Sequence, residues 1–264
     1  MISFGKTDIG QVRDLNEDNI FFSDKNIGDL ENLYIVADGM GGHKAGEVAS
    51  NLAINSFIDY VKNNKCEDKN LVLDFLVNAV GYANNIIYEK AKADLNCSGM
   101  GTTLSACTFF DKKIYCVHVG DSRIYLANNN INYKQLSIDH TYVNEMLRTG
   151  KINLEQAKNH PQKNIITRAV GIDKNLKTDA FVLPVDININ NYFLICSDGL
   201  TCVLDDKEIF DLVLNKNLDL DLGINISLDL KLENKVDTLI NLANQKGGYD
   251  NISVVLIYYE ECKE

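Results

Sequence analysis

The sequence predicts an α+β fold of mainly antiparallel sheets with helices on their outer faces. Three observations carry that prediction: apolar runs of strand length recur at hairpin spacing, stretches starting near residues 46 and 70 follow the helical period instead, and strands outnumber helices. At 264 residues and 45% hydrophobic composition the chain can bury one sizeable core. Only Pro161 and Pro184 occur, and no Gly/Ser-rich or single-sign charged run divides the chain, so one domain over 1–264 is expected.

Strands open the chain at Ile2 to Thr7, Asn19 to Ser23 and Leu33 to Ala37. A helix follows from about Gly46, with Val48, Leu52, Ala53, Phe57 and Tyr60 on one stripe, and Glu47 in its first turn suits the positive end of the dipole. A second helix runs from about Asn70 to Ala93. A strand-rich block then covers Thr102 to Phe110, Ile114 to Val119, Ser122 to Ala127 and Ile131 to Ser137, with turns at Asp111-Lys112-Lys113 and Asn128-Asn129-Asn130. From His140 to Gly171 the chain is polar, with a short helix expected around Val143 to Arg148. Strands return at Thr178 to Leu183 and Tyr192 to Cys196, helices at Asp206 to Leu214 and Glu233 to Gln245, and a last strand at Ile252 to Tyr259. Leu218 to Leu232 alternates apolar and polar residues throughout, which predicts an edge strand or hairpin, with a partner-docking edge as the second reading.

The net charge of −11 argues against nucleic acid as a partner. Seven cysteines, an odd number with no CxxC pair, fit a reducing compartment. The N-terminus lacks a signal-peptide core, and no apolar run is expected to approach the length of a membrane span. A soluble, cytoplasmic chain without membrane insertion is expected.

Acidic residues mark the ends of the strands. Asp38-Gly39 and Asp198-Gly199 close two apolar runs, Glu17-Asp18 and Asp250-Asn251 precede two others, and Asp121 lies between two more. A carboxylate at the rim of a hydrophobic sheet is costly to desolvate unless something neutralises it. Carboxylate and carbonyl ligands without a His or Cys cluster suit hard ions such as Mg²⁺ and Mn²⁺ better than zinc. Two such ions would bring −11 to −7 and reverse the sign locally, where a phosphate could bind. Each Asp-Gly pair, taken alone, is only a turn signal, and Arg13 alone would be a solvated surface charge.

Taken together and in order, the motifs resemble the metal-dependent protein Ser/Thr phosphatases of type 2C, in particular their compact bacterial branch. They are Val12 to Asn19 (VRDLNEDN), Val36 to His43 (VADGMGGH), Gly101-Thr102-Thr103, Gly120-Asp121-Ser122-Arg123, Asp139-His140-Thr141, Thr167 to Gly171 (TRAVG), Ser197-Asp198-Gly199-Leu200 and Gly247 to Asn251 (GGYDN). The resemblance implies a central sandwich of two antiparallel sheets flanked by helix pairs, with a two-metal site at one end and a flap over about Val143 to Arg168. It implies hydrolysis of phosphoserine and phosphothreonine by in-line attack of a water or hydroxide bridging two Mn²⁺ or Mg²⁺ ions. Asp38 would bridge both ions and the Gly39 carbonyl would bind one. Asp198 and Asp250 would serve the first ion and Asp18 the second, while Asp121 with Asp198 would hold a weaker third. Arg13 matches the phosphate-binding arginine. Phosphoproteins, and a bacterial Ser/Thr kinase acting in opposition, would be the partners of a monomeric enzyme.

One departure stands out. Many relatives carry a histidine, proposed to protonate the leaving group, where this chain has Met40. His43 either reaches in as the acid or only organises its loop. A turn carboxylate paired with Arg123 is the other reading of Asp121. His140 is expected to be a structural hydrogen-bonding residue, His118 a core residue, and His160 a surface residue of the flap. A partner-binding protein that kept only the fold, and a two-metal hydrolase of small molecules, are the competing functions. The four principal metal carboxylates are all present, and no nucleotide-binding glycine fingerprint occurs.

Overall fold

The computed structural model describes residues 1–42, 44–66, 68–215 and 227–260. In chain order the elements are β1 (Ile2–Asp8), β2 (Asp18–Ser23), β3 (Leu33–Met40), α1 (Ala45–Asn63), α2 (Val72–Ala93), β4 (Gly101–Thr102), β5 (Leu104–Phe110), β6 (Lys113–Val119), β7 (Arg123–Asn128) and β8 (Asn132–Gln135). They continue with α3 (Tyr142–Arg148), α4 (Leu154–Lys158), β9 (Asp179–Pro184), β10 (Asn191–Cys196), α5 (Asp198–Thr201), α6 (Asp206–Val213), α7 (Leu228–Gln245) and β11 (Ile252–Tyr259). One sheet has the order β1-β11-β10-β7-β8. The other runs β2-β3-β5-β6-β9, with β4 paired to β3. Every strand pairing is antiparallel.

The central strands β3, β5, β6, β10 and β11 are almost wholly buried because both of their faces are covered. Side chains alternate across a strand, and in β3 that alternation sends Leu33, Ile35 and Ala37 towards α1 and α2, while Tyr34 and Val36 enter the layer between the sheets. β11 divides in the same way. Ile252, Val254 and Leu256 face α6 and α7, and Val255 and Ile257 face the opposite sheet. Phe109 and Phe193 meet edge-on across the middle layer, with centroids 4.9 Å apart. The result is a sandwich of two antiparallel sheets with helices outside each.

The alternation carries past the apolar stretch of β3. Counting on from Tyr34 and Val36, Asp38 falls on the inter-sheet face, and its register partner across to β2 is Asp18. Both carboxylates therefore open at one end of the sandwich.

Three expectations need correction. The strand assigned to Leu218 to Leu232 is not present where the structure describes it. Residues 218–226 lie outside the described residues, Ser227 is an N-cap whose Oγ accepts from the Leu230 amide, and α7 starts at Leu228 rather than Glu233. Leu228, Leu232, Val236 and Leu239 then recur on the helix face that packs under the first sheet. The polar stretch after His140 holds a second short helix, α4, closed by an Asn153–Gln156 capping box. Finally, Lys69–Ala93 is, among the described residues, a helix long and apolar enough to cross a membrane. Its residues 72, 75, 76, 79, 80, 83, 84 and 87 make one buried face, packed against α1 and the second sheet.

Candidate active site

Asp38 occupies the centre of the rim. Its backbone is held on both sides: the Asp38 amide donates to Thr103 Oγ1 at 2.9 Å, and its carbonyl accepts from the Thr103 amide at 2.8 Å and from Thr102 Oγ1 at 2.9 Å. The next residue must be glycine. A Cβ on Gly39 would stand 2.1 Å from the Gly46 carbonyl oxygen and 2.5 Å from that of Glu17. The Gly39 amide donates to the same Glu17 carbonyl, at 3.1 Å.

Four further carboxylates gather round Asp38. Burial raises its pKa far above the usual carboxylate range, and the charges of Asp18, Asp198, Asp121 and Asp250 add to that rise. Asp18 is pushed up to about 7, by burial first and by Asp198 and Asp250, against the hydrogen bonds of Ser197 and Ser253. Ser197 Oγ donates to Asp18 Oδ2 at 2.7 Å. Asp198 opens α5, two residues beyond the end of β10, and its pKa is raised by burial and by Asp250. Asp121 is pushed up to about 7 by burial, then by Asp198 and Asp139. Its Oδ1 is buried without a hydrogen-bond partner, as is Oε1 of Glu17.

Arg13 brings the opposing charge. Its Nη2 donates to Asp250 Oδ2 at 2.7 Å, with the side chain about half exposed at 48%. Asn251 fixes the loop that carries it, donating from Nδ2 to the carbonyls of Ile9 and Leu15, both at 2.9 Å, and accepting from the Glu17 amide at 2.8 Å.

Asp18, Asp38, Asp121, Asp198, Asp250 and Arg13 are thus brought together, with the Gly39 carbonyl beside them, whereas His43 lies outside the described residues. Met40 ends β3 opposite Gly101. Arg123 is not the partner of Asp121. Its Nε and Nη2 grip Asp139 at 2.9 and 2.7 Å, and Nη1 lies 3.6 Å from Asp206. Serines 197 and 253, Thr103 and Asn251 brace the site; Ser197, Thr103 and Asn251 fall within the sequence motifs, whereas Ser253, inside β11, gives no sequence signal of such a task.

The donor set fits divalent cations. Of five mutually repelling carboxylates only Asp250 is paired directly with an arginine, and one oxygen of Asp121 is buried without a hydrogen-bond partner. Among the described residues no three carboxylate, imidazole or thiolate groups already close into a ligand cage.

Residues 10–219 match the family model for protein phosphatase 2C. The chain belongs to the protein phosphatase 2C family. This type 2C chain is 38% identical over 254 residues to the serine/threonine phosphatase stp of Listeria welshimeri, covering 96% of this chain and 93% of that one. Among solved structures, the serine/threonine phosphatase Stp1 of Staphylococcus aureus superposes with a TM-score of 0.83 at 32% identity, over 96% of this chain and 93% of the other. The catalytic domain of PstP, solved in complex with two manganese ions, gives 0.78 at 30% identity over 98% and 97%. Type 2C membership makes the chain a metal-dependent protein serine/threonine phosphatase by class.

Proposed function

We propose that residues 1–264 form one catalytic unit that hydrolyses phosphoserine and phosphothreonine in proteins by in-line attack of water. The observation that supports this reading is the convergence of five aspartates and Arg13 at one end of the sandwich. Asp38 would serve two cations at once, with Asp198 and Asp250 serving the first, Asp18 the second, and the Gly39 carbonyl one of them. Asp121 and Asp198 would hold a weaker third. Mn²⁺ or Mg²⁺ bound there would acidify a water for attack on phosphorus and neutralise charge on the phosphoryl oxygens.

Arg13 holds the phosphate. Its pairing with Asp250 engages one N–H of a fork that has five, and the half-exposed side chain leaves the others free to grip two phosphate oxygens. Asp250 then orients the guanidinium as well as serving a cation. Met40 has no proton to give, so the leaving alkoxide takes its proton from another group. The segment from about Val143 to Arg168 acts as a flap beside the site, and a bacterial Ser/Thr kinase supplies the phosphoproteins. A monomer in the cytoplasm suits the unpaired state of all six described cysteines.

Release of phosphate from a phosphothreonine peptide by the purified chain, with Mn²⁺, with Mg²⁺ and with chelator, tests this function. Turnover only with a divalent cation is expected. Turnover in chelator would reject the mechanism, and silence on every phosphoester would reject the activity.

A further inference from the structure

The loop Gly120-Asp121-Ser122-Arg123 is anchored at both ends by two consecutive residues, Asp139 and His140. At the near end the His140 amide donates to the Gly120 carbonyl at 2.7 Å, and the Gly120 amide donates back to His140 Nδ1 at 3.1 Å. At the far end Arg123 holds the Asp139 carboxylate through two nitrogens. Asp121 lies between these anchors, and its unpartnered Oδ1 is buried. The loop has little room to relax. Gly120 has φ +109°, and a Cβ there would meet Thr103 Cγ2 at 2.5 Å; Thr103 is the residue that braces Asp38.

The same histidine reaches outward. Since Nδ1 accepts, Nε2 carries the ring proton; it stands 3.2 Å from Asp179 Oδ2 and 3.1 Å from Arg168 Nη1, which itself donates to Asp179 Oδ1 at 2.8 Å. Its carbonyl accepts from the Thr167 amide at 2.8 Å. His140 is only 4% exposed, so its polar atoms are committed to these neighbours.

We propose that Asp139 and His140 are positioning residues that hold the Asp121 carboxylate in place for a cation, His140 acting through the Gly120 amide. Neither touches substrate. The proposal rests on the reading of Asp121 as a cation ligand, and the two arms of the imidazole can be tested apart. His140→Asn keeps an acceptor at the position of Nδ1 and loses the Nε2 arm. His140→Gln reaches towards Asp179 and loses the acceptor for Gly120.

Free Mn²⁺ measured by electron paramagnetic resonance, without substrate, reads the outcome. His140→Asn should bind Mn²⁺ within about 2-fold of the parent, while His140→Gln should weaken the weakest class of site about 5–10-fold, the scale of one lost hydrogen bond. In an Asp121→Asn background the Gln substitution should change nothing further. Equal weakening by Asn and Gln, or a Gln effect that persists without Asp121, would mean that His140 is merely packed there and would overturn the proposal. If His140→Gln loses its circular dichroism, Asp139→Asn, which loosens the anchor on Arg123, takes its place: weaker Mn²⁺ binding is expected, and unchanged binding overturns the proposal. A parent chain that binds no Mn²⁺ would overturn the reading of the site and this proposal together.

Discussion

At the scale of single residues, the site is a stability liability kept for its chemistry. Asp38 is buried among like charges, and both effects push its carboxyl towards the protonated form. Asp38→Asn removes one of those charges. Phosphatase activity in Mn²⁺ should fall by about 10³-fold or more, while the chelated variant should be about 1–2 kcal/mol more stable than the chelated parent. Thermal melts in chelator alongside p-nitrophenyl phosphate turnover check both halves, and a chelated variant less stable than its parent would contradict the repulsion argument. The same residues set a pH dependence. Asp18 and Asp121 hold protons up to about 7 in the folded chain, against about 4 when unfolded. Folded protein therefore binds more protons between these values, and in chelator their contribution to stability is lost as pH rises through about 7. Cations need the deprotonated form. The rise in melting temperature on adding Mn²⁺ should accordingly be larger at pH 8 than at pH 5, and a rise independent of pH would contradict the assignment. These aspartates were legible in the sequence because each interrupts an apolar run. Of their braces, Ser197 and Thr103 fell inside sequence motifs without a task assigned to them, and Ser253 was not legible, since a buried serine within a strand reads the same as any small residue there.

At the scale of elements, the histidines on β6 and on the segment after β8 act in the opposite direction. The His118 and His140 rings stand 4.9 Å apart. Burial lowers His118 to about 3, helped by His140, and lowers His140 as well, despite its bond to Asp179. Their neutral forms support the fold above the unfolded value of about 6.5, and that support is lost as pH falls below it. His118→Asn, which keeps a hydrogen-bonding group within reach of Ser105 Oγ, should lose about 2 kcal/mol less than the parent between pH 6.5 and 5. Denaturant melts with Mn²⁺ present at the two pH values give the comparison, and parallel losses would remove His118 from the account. Strands were the easily read elements, because fully apolar runs bounded by Gly and Asn can hardly be anything else in a layered fold. The start of α7 was not. Leu228, Leu230 and Leu232 alternate as a strand would, and the helical repeat of 228, 232, 236 and 239 becomes visible only past Glu233. Asp198 was similarly read as the end of a strand, yet it opens the one-turn α5.

For the whole molecule, the two sheets and their covering helices build a core that owes nothing to the carboxylates. Phe193, at 1% exposure, fills the middle layer between Phe109 and the aliphatic side chains of β11, and Phe193→Ala should cost about 3–5 kcal/mol in denaturant melts while leaving Mn²⁺ affinity unchanged in whatever fraction remains folded. The layered class was legible from strand count and spacing. Which face β3 and β11 turn towards the helices was not, because both of their faces are apolar and the alternation offers no contrast. The long-range field follows from composition rather than from packing. A chain of net charge −11 repels acidic partners and attracts basic ones over about a Debye length, whereas the phosphate itself is drawn only at close range, by Arg13 and bound cations. Phosphothreonine peptides with flanking lysines should therefore show a higher kcat/KM than the same peptides with flanking glutamates, by about 10-fold at ~20 mM salt. The difference should act mainly through association, so kcat should be similar for the two. Screening shortens the field to about 3 Å at ~1 M salt, where the ratio should collapse towards one. A preference that survives high salt would instead assign specificity to direct contacts at the rim around Arg13.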